Sequence, residues 1–149
     1  MMPEPSFLLD GMLGSLARWL RIMGYDSVYL KDEKDGELLA ALGDRCLLTR
    51  DRQLAQRAGA RGFYLESDDL DAQLSAVVKR FELRFDLERT RCTSCNGPLQ
   101  KVDKELVRDR VAEGTWSGHQ EFRMCRDCGK VYWQGAHWKN IRGRLEKIS

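Results

Sequence analysis

Two sets of residues in this chain have the types and spacing to do chemistry: paired cysteines and acids at the ends of apolar segments. Cys92-Thr93-Ser94-Cys95 and Cys125-Arg126-Asp127-Cys128 are both Cys-x-x-Cys pairs. Each lets one tight turn present two thiolates to a single ion, and two such turns complete a tetrahedral four-cysteine shell for structural zinc, the signature of a zinc ribbon. Asn96-Gly97 and Gly129-Lys130 follow the pairs, turn-tolerant residues where the backbone must curl toward sulfur. The 29 residues between Cys95 and Cys125 exceed the usual short spacing and predict a longer hairpin. The competing readings are two disulfides or a redox pair. No secretory cue accompanies the cysteines, and neither pair opens a helix of a βαβ unit, so zinc is favoured. Cys46, inside an apolar strand, reads as an inert core thiol.

The acids take their meaning from the elements that must position them. Ser6 to Leu9 reads as a short apolar strand stopped by Asp10-Gly11. Leu13, Leu16, Ala17, Leu20 and Met23 then recur at helical spacing up to Gly24. Further strands are expected at Ser27–Leu30, Arg45–Thr49 and Gly62–Leu65, with helices at Glu37–Leu42, Gln53–Ala58 and Leu70–Phe81. Apolar strands alternating with helices predict an α/β fold, a small, mainly parallel four-stranded sheet flanked by helices. That unit is expected to span residues 1–86. Residues 87–149 form the zinc-ribbon part, with a strand at Lys130–Trp133 and a basic helix at Trp138–Ile148. No linker-like composition separates the two, so direct packing is expected.

In an open parallel sheet, chemistry gathers beyond the carboxyl ends of the strands. Asp10 ends the first strand, Asp51 follows the third, and Asp68-Asp69 follow the fourth, while Asp35 precedes the helix between strands two and three. Acids converging there would repel one another unless a hard divalent cation such as Mg²⁺ or Mn²⁺ joined them. Such a cation can bridge a scissile phosphate and activate water. Other uses compete: Asp35 and Asp69 as helix N-caps, and Asp51 as a partner of Arg50 or Arg52.

Charge bounds the problem without deciding it. The net charge is +2, but residues 1–86 carry 12 Lys/Arg against 15 Asp/Glu and residues 87–149 carry 13 against 8. An acidic part beside a basic one suits a metal site paired with a polyanion-holding module, and equally suits two ordinary solvated surfaces. No apolar run is long enough to span a bilayer, and a cytoplasmic protein without membrane contact is expected.

Phe7 through Arg21 (Phe-Leu-Leu-Asp-Gly-Met-Leu-Gly-Ser-Leu-Ala-Arg-Trp-Leu-Arg), Leu47 through Arg52, Arg91 through Gly97 and Cys125 through Trp138 closely resemble the Mut-seven C-terminal RNase domain family. The resemblance covers nearly the whole chain and implies a PIN-like nuclease domain fused to a zinc ribbon, acting in metal-dependent RNA hydrolysis. It places Asp10 and Asp51 on the family's acidic positions. Asp35, with Glu37 as its rival, resembles the acid opening the second helix of related PIN-like domains, and Asp69 or Asp68 would be the fourth. The sequence departs from the family at Ala136, where Ser usually precedes the histidine.

Basic and aromatic residues extend this reading. Arg18, Arg21, Arg50 and Arg52 lie near the acids in sequence and suit phosphate oxygens, or else pair with the excess acids. Trp116, Tyr132, Trp133 and Trp138 stand among Lys139, Arg142, Arg144 and other cations. Rings interleaved with cations suit single-stranded RNA, and rings also cover a small ribbon's core. His137 is not expected to ligate zinc while four cysteines fill the shell. The leading expectation is a Mg²⁺/Mn²⁺-dependent ribonuclease whose ribbon assists RNA binding. A non-catalytic RNA-binding module and a toxin-like, partner-dependent PIN subunit are the alternatives.

Overall fold

The computed structural model describes residues 4–135 and 138–148. Strand and helix alternate through β1 (Phe7–Leu9), α1 (Gly14–Ile22), β2 (Ser27–Tyr29), α2 (Asp35–Ala40), β3 (Cys46–Thr49), α3 (Arg52–Ala58), β4 (Gly62–Tyr64) and α4 (Leu70–Phe81). The four strands form one parallel sheet in the order β2-β1-β3-β4. Successive strand side chains point to opposite faces, and both faces are covered, which is why these strands are so strongly apolar. Phe7, Leu9 and Leu48 pack with Leu16, Ala17 and Leu20 of α1 and Leu74, Val77 and Val78 of α4. Leu8 and Leu47 face the other way, against Leu38, Leu42 and Leu54. Burying such side chains contributes roughly 1.5–3 kcal/mol each, so these two layers dominate the stability of the sheet.

One boundary differs from the expected one in a way that matters for the site. The second helix begins at Asp35, not at Glu37, because a Glu37 carboxylate oxygen accepts the Lys34 backbone N–H at 3.4 Å and starts the helix earlier. Cys46 is half-buried at the start of β3, and burial raises its thiol above the ordinary range.

The rest of the chain forms β5 (Leu99–Val102), α5 (Glu113–Gly118), β6 (Phe122–Cys125), β7 (Val131–Tyr132) and α6 (Trp138–Ile148). β5, β6 and β7 make an antiparallel sheet in that order. The long spacing between the cysteine pairs is taken up by helical turns, not by longer strands. A 3-10 segment, Lys104–Arg110, and α5 lie between β5 and β6, fastened by buried Val107 and by Trp116 Nε1 donating to the Lys104 carbonyl at 2.8 Å. No helix among the described residues is long and apolar enough to cross a membrane.

The two sheets are tied together at two places. Helix α6 returns to pack on α4 and inserts Leu145 into the core beneath the parallel sheet, with Trp138, Ile141 and Ile148 alongside. The second tie corrects a sequence expectation. Arg21 does not face solvent or phosphate: it is 7% exposed, its Nε donates to the Ser27 carbonyl at 2.9 Å and its Nη1 to the Thr93 carbonyl at 2.8 Å. Its guanidinium is committed to joining α1, β2 and the first cysteine turn. Asn96 completes this joint. Its Oδ1 accepts the Ser27 N–H at 2.9 Å, and its Nδ2 donates to Asp26, which is also clasped by Arg45 through bonds of 2.8 and 3.1 Å.

Asn96→Ala is therefore expected to destabilise the fold by about 1–3 kcal/mol, because two part-buried partners lose their bonds and Ala tolerates the φ of 71° poorly. Urea unfolding followed by circular dichroism measures this. Burial raises the Asp26 carboxyl, but hydrogen bonds from Arg45 and Asn96 outweigh it and hold it below its ordinary value. Its contribution is thus complete above the unfolded value, about pH 4, and is lost as pH falls through the depressed folded value. Unfolding midpoints should fall across that window in the wild type, and less steeply in Asp26→Asn.

Candidate functional site

The parallel sheet brings the acids at its carboxyl edge into two classes. Pairing of Leu9 with Leu48 sets Asp10 beside Thr49, and Thr49 is fully buried. The Thr49 hydroxyl donates to Asp10 Oδ2 at 2.6 Å and accepts the Asp51 backbone N–H at 3.0 Å. One side chain thereby holds the loops after β1 and β3 in fixed relation. Asp51 is also the N-cap of α3, its Oδ1 accepting from Leu54 N at 3.1 Å. The hydrogen bonds leave Asp10 Oδ1 and Asp51 Oδ2 without a protein donor among the described residues, and neither carboxylate has a basic side chain of those residues within 4.0 Å. Two acids so placed lack a compensating charge, a condition that a divalent cation satisfies.

The loop after β1 is held from the other side. The Tyr29 hydroxyl donates to the Gly11 carbonyl at 2.6 Å, and a Cβ on Gly11 would lie 2.5 Å from the Lys31 carbonyl oxygen. Only glycine lets the loop approach β2 so closely.

Of the other candidate acids, Asp69 is a helix cap like Asp51, whereas Asp35 and Glu37 meet charged neighbours. Asp69 caps α4, accepting from Ala72 N at 3.0 Å, and its own N–H donates to Ser67 Oγ. Asp68 is exposed. Asp35 lies 3.9 Å from Arg57, which is six residues, or about 9 Å of helix rise, beyond Asp51. Glu37 is lowered from its ordinary value by a hydrogen bond with Glu33 and by the Lys34 backbone. No group of three or more carboxylates among the described residues brings its oxygens within 4.8 Å. Asp10 and Asp51, linked through Thr49, are the inner pair. Thr49 is not among the residues singled out in the sequence, although a hydroxyl residue closing a strand two positions before an acid is the signal that marks it.

The basic residues divide similarly. Arg50 donates through Nη2 to the Glu66 carbonyl at 3.0 Å, while its buried Nε has no partner among the described residues. Arg52 lies over the Tyr64 ring at 5.0 Å. Arg144 pairs with Asp71 at 2.6 Å and lies 5.0 Å from the Trp19 ring. Arg18, Lys139 and Arg142 are exposed.

The cysteines form a second candidate centre with near-equivalent halves. Cys92 N donates to the Gly97 carbonyl and Asn96 N to the Cys92 carbonyl, at 2.8 and 2.9 Å. Cys125 N donates to the Lys130 carbonyl and Gly129 N to the Cys125 carbonyl, at 2.9 and 3.0 Å. The residue after each second cysteine is left-handed, Asn96 at φ 71° and Gly129 at 79°. All four sulfurs are free thiols within 4.8 Å of one another, with Cys92–Cys128 at 3.7 Å and Cys95–Cys125 at 3.4 Å. Tetrahedral zinc with bonds of ~2.3 Å requires sulfurs about 3.8 Å apart, so the set fits zinc.

Electrostatics within the cluster call for a cation. Burial raises Cys92, but the Tyr132 hydroxyl and the Cys95 and Ser94 backbone N–H groups bring it down to about 6. The Gly97 N–H favours the Cys95 thiolate, yet burial and the neighbouring sulfurs push it up to about 12. One thiolate forms readily and the next is opposed. A bound dication removes that opposition. Tyr132, considered as a stacking ring in the sequence, places its hydroxyl 3.0 Å from Cys92 Sγ and accepts the Thr93 N–H at 3.1 Å. Trp116 is flanked by Lys104 and Arg108 at 4.4 and 4.7 Å, and Trp133 is exposed. His119 Nδ1 lies 2.9 Å from the Thr115 carbonyl. His137 lies outside the described residues.

Residues 5–145 match the model of the Mut7-C RNAse domain family. No curated protein and no solved structure matches the chain.

One zinc per chain is expected in freshly purified protein by inductively coupled plasma mass spectrometry. Tyr132→Phe should weaken zinc retention against a competing chelator by about 10–100-fold, the range for losing a partner that orients a ligand. Intact-mass evidence for two disulfides would contradict this reading.

Proposed function

The chain belongs to the Mut7-C RNAse domain family, and on that premise we propose that it is a metal-dependent ribonuclease acting in the cytoplasm. The carrying observation is the Asp10–Thr49–Asp51 arrangement: two acids at adjacent strand ends, one buried hydroxyl bonding the Asp10 carboxylate and the Asp51 backbone N–H, and no basic partner for either carboxylate among the described residues. Asp10 and Asp51 hold the divalent cation, Mg²⁺ or Mn²⁺, which when bound supplies positive charge to the scissile phosphate and lowers the pKa of water. Thr49 keeps both acids in place through the reaction, so no reorganisation is needed as charge develops. Arg50, directly between Thr49 and Asp51 in sequence, places positive charge at this edge, with its Nη2 on the Glu66 carbonyl and its Nε buried. No histidine, serine or cysteine nucleophile is required of the chain: His119 belongs to the zinc-ribbon part, engaged with Thr115. Residues 1–86 carry the hydrolysis. Residues 87–149, stapled by zinc on the four cysteines, assist in holding RNA through Lys139, Arg142 and exposed rings. Asp35 and Asp69 are auxiliary acids, recruited to the inner pair only if substrate and metal draw them in.

Asp10→Asn is expected to slow cleavage of labelled single-stranded RNA by about 10²–10³-fold, the scale of losing one preorganised charge-stabilising group. RNA binding should persist, since repulsion of phosphate is reduced. Thr49→Val should slow cleavage by about 10–100-fold, with Thr49→Ser restoring most of it. EDTA should stop the wild type, and Mn²⁺ should restore it. Wild-type rates for Asp10→Asn would overturn the assignment and leave an RNA-binding module.

A further inference from the structure

A cleft of about 190 Å³ lies between α1, α4 and α6, lined by Ser15, Arg18, Trp19, Ile22, Leu70 and Ile141. Its α1 wall uses positions 15, 18, 19 and 22, which share one helical face over about 10 Å of rise. The cleft starts at the acid edge. Leu70 directly follows Asp69, and Ser15 lies one turn beyond the Asp10 loop, where Leu13 N donates to the Asp10 carbonyl at 3.0 Å. Met12, between them, is 78% exposed although the loop on either side of it is pinned by Tyr29 and Asp10. Met12, two residues after Asp10, takes no part in either core.

We propose that this cleft is a track for single-stranded RNA running away from the acid pair, a reading that rests on the ribonuclease assignment. Met12 and Trp19 offer apolar surface to unstacked base faces, and Ser15 offers a hydroxyl to sugar or phosphate. Arg18 is exposed and has no ion-pair or hydrogen-bond partner among the described residues, leaving its guanidinium for phosphate. Of the two acids beside Leu70, Asp69 caps α4 and Asp71 is neutralised by Arg144, whose guanidinium also braces Trp19 from α6. Arg18 lines the cleft and exposed Arg142 adjoins Ile141 on the facing helix, so cations accompany its apolar walls. A duplex hides its base faces and gains little from an apolar floor, which makes a single strand the fitting occupant.

The test uses the full-length, zinc-loaded protein carrying Asp10→Asn, with a fluorescent single-stranded RNA containing 4-thiouridine. Arg18→Ala is expected to lower the slope of log affinity against log salt by about 0.7, one phosphate contact on a single strand. Arg18→Glu and Met12→Ser should each weaken binding by about tenfold, with circular dichroism unchanged. Cross-linked peptides should contain residues of 12–22 or of α6. An unchanged salt slope with cross-links confined to the Trp116 and Trp133 region overturns the track. So does a change in self-association without a change in RNA affinity, which would assign the cleft to a protein contact. The two readings fail separately: wild-type protein that cross-links through the cleft but never cleaves supports the track and removes the nuclease. Metal-dependent cleavage indifferent to Arg18 and Met12 does the reverse.

Discussion

Parallel pairing of β1 with β3 is the constraint on which the geometry of the candidate site depends. Because the two strands run the same way in the register Leu9 to Leu48, both end at the same edge, and the next residues, Asp10 and Thr49, meet. An antiparallel pair would send one acid to each end of the sheet. A register slip of one residue would exchange the faces of every strand side chain and turn the Thr49 hydroxyl away from Asp10. The hydrophobic layers on either side prevent that slip, since Phe7, Leu9 and Leu48 would lose one core while Leu8 and Leu47 lost the other. Core packing and site geometry are therefore a single requirement.

The cysteine cluster is joined to this sheet by polar contacts, and those contacts run through the turn that carries the first two sulfurs. Thr93 and Asn96, inside and just after the first Cys-x-x-Cys, engage Arg21 and Ser27. A side chain as costly to bury as arginine is retained because its donors are met by carbonyls of both parts. Burial lowers its guanidinium from the ordinary value, and the sulfurs of Cys92 and Cys95 act in the opposite sense. Its charge thus also sits where thiolate charge accumulates. Helix α6 adds an apolar tie through Leu145. The turn geometry that suits a metal and the joint that holds the two sheets share the same residues.

Surface charge is allocated unevenly. Several arginines are consumed internally or by acids: Arg21 by carbonyls, Arg45 by Asp26, Arg123 by Glu88 and Arg144 by Asp71. The exposed pairs contribute little individually to stability, but they decide which cations remain for a polyanion. Arg18 on α1 and Lys139 and Arg142 on α6 remain, as do Lys101 on β5 and Arg126 in the second cysteine turn.

The four-stranded parallel sheet, the helix spanning Leu70–Phe81 and the cysteine cluster are all legible in the chain before it folds. Each is written locally, in runs of apolar residues, in 3.6-residue periodicity and in Cys-x-x-Cys spacing. Strand ends are also local signals, which is why Asp10 and Asp51 read as residues of one edge. Which acids stand together is a property of the fold alone. Asp35, Asp51 and Asp69 carry the same kind of local mark, an acid at a helix start, and only the fold links Asp51 through Thr49 to Asp10 and sets Asp35 near Arg57. Strand pairing is needed to reveal Thr49 as the bridge, because its partner lies 39 residues away in sequence. Arg21 is opaque in the sequence for the same reason. An arginine on an amphipathic helix looks solvent-facing until a distant turn, here at Thr93, closes over it. Local pattern specifies elements, whereas the partners of a polar side chain depend on what the fold later sets against it.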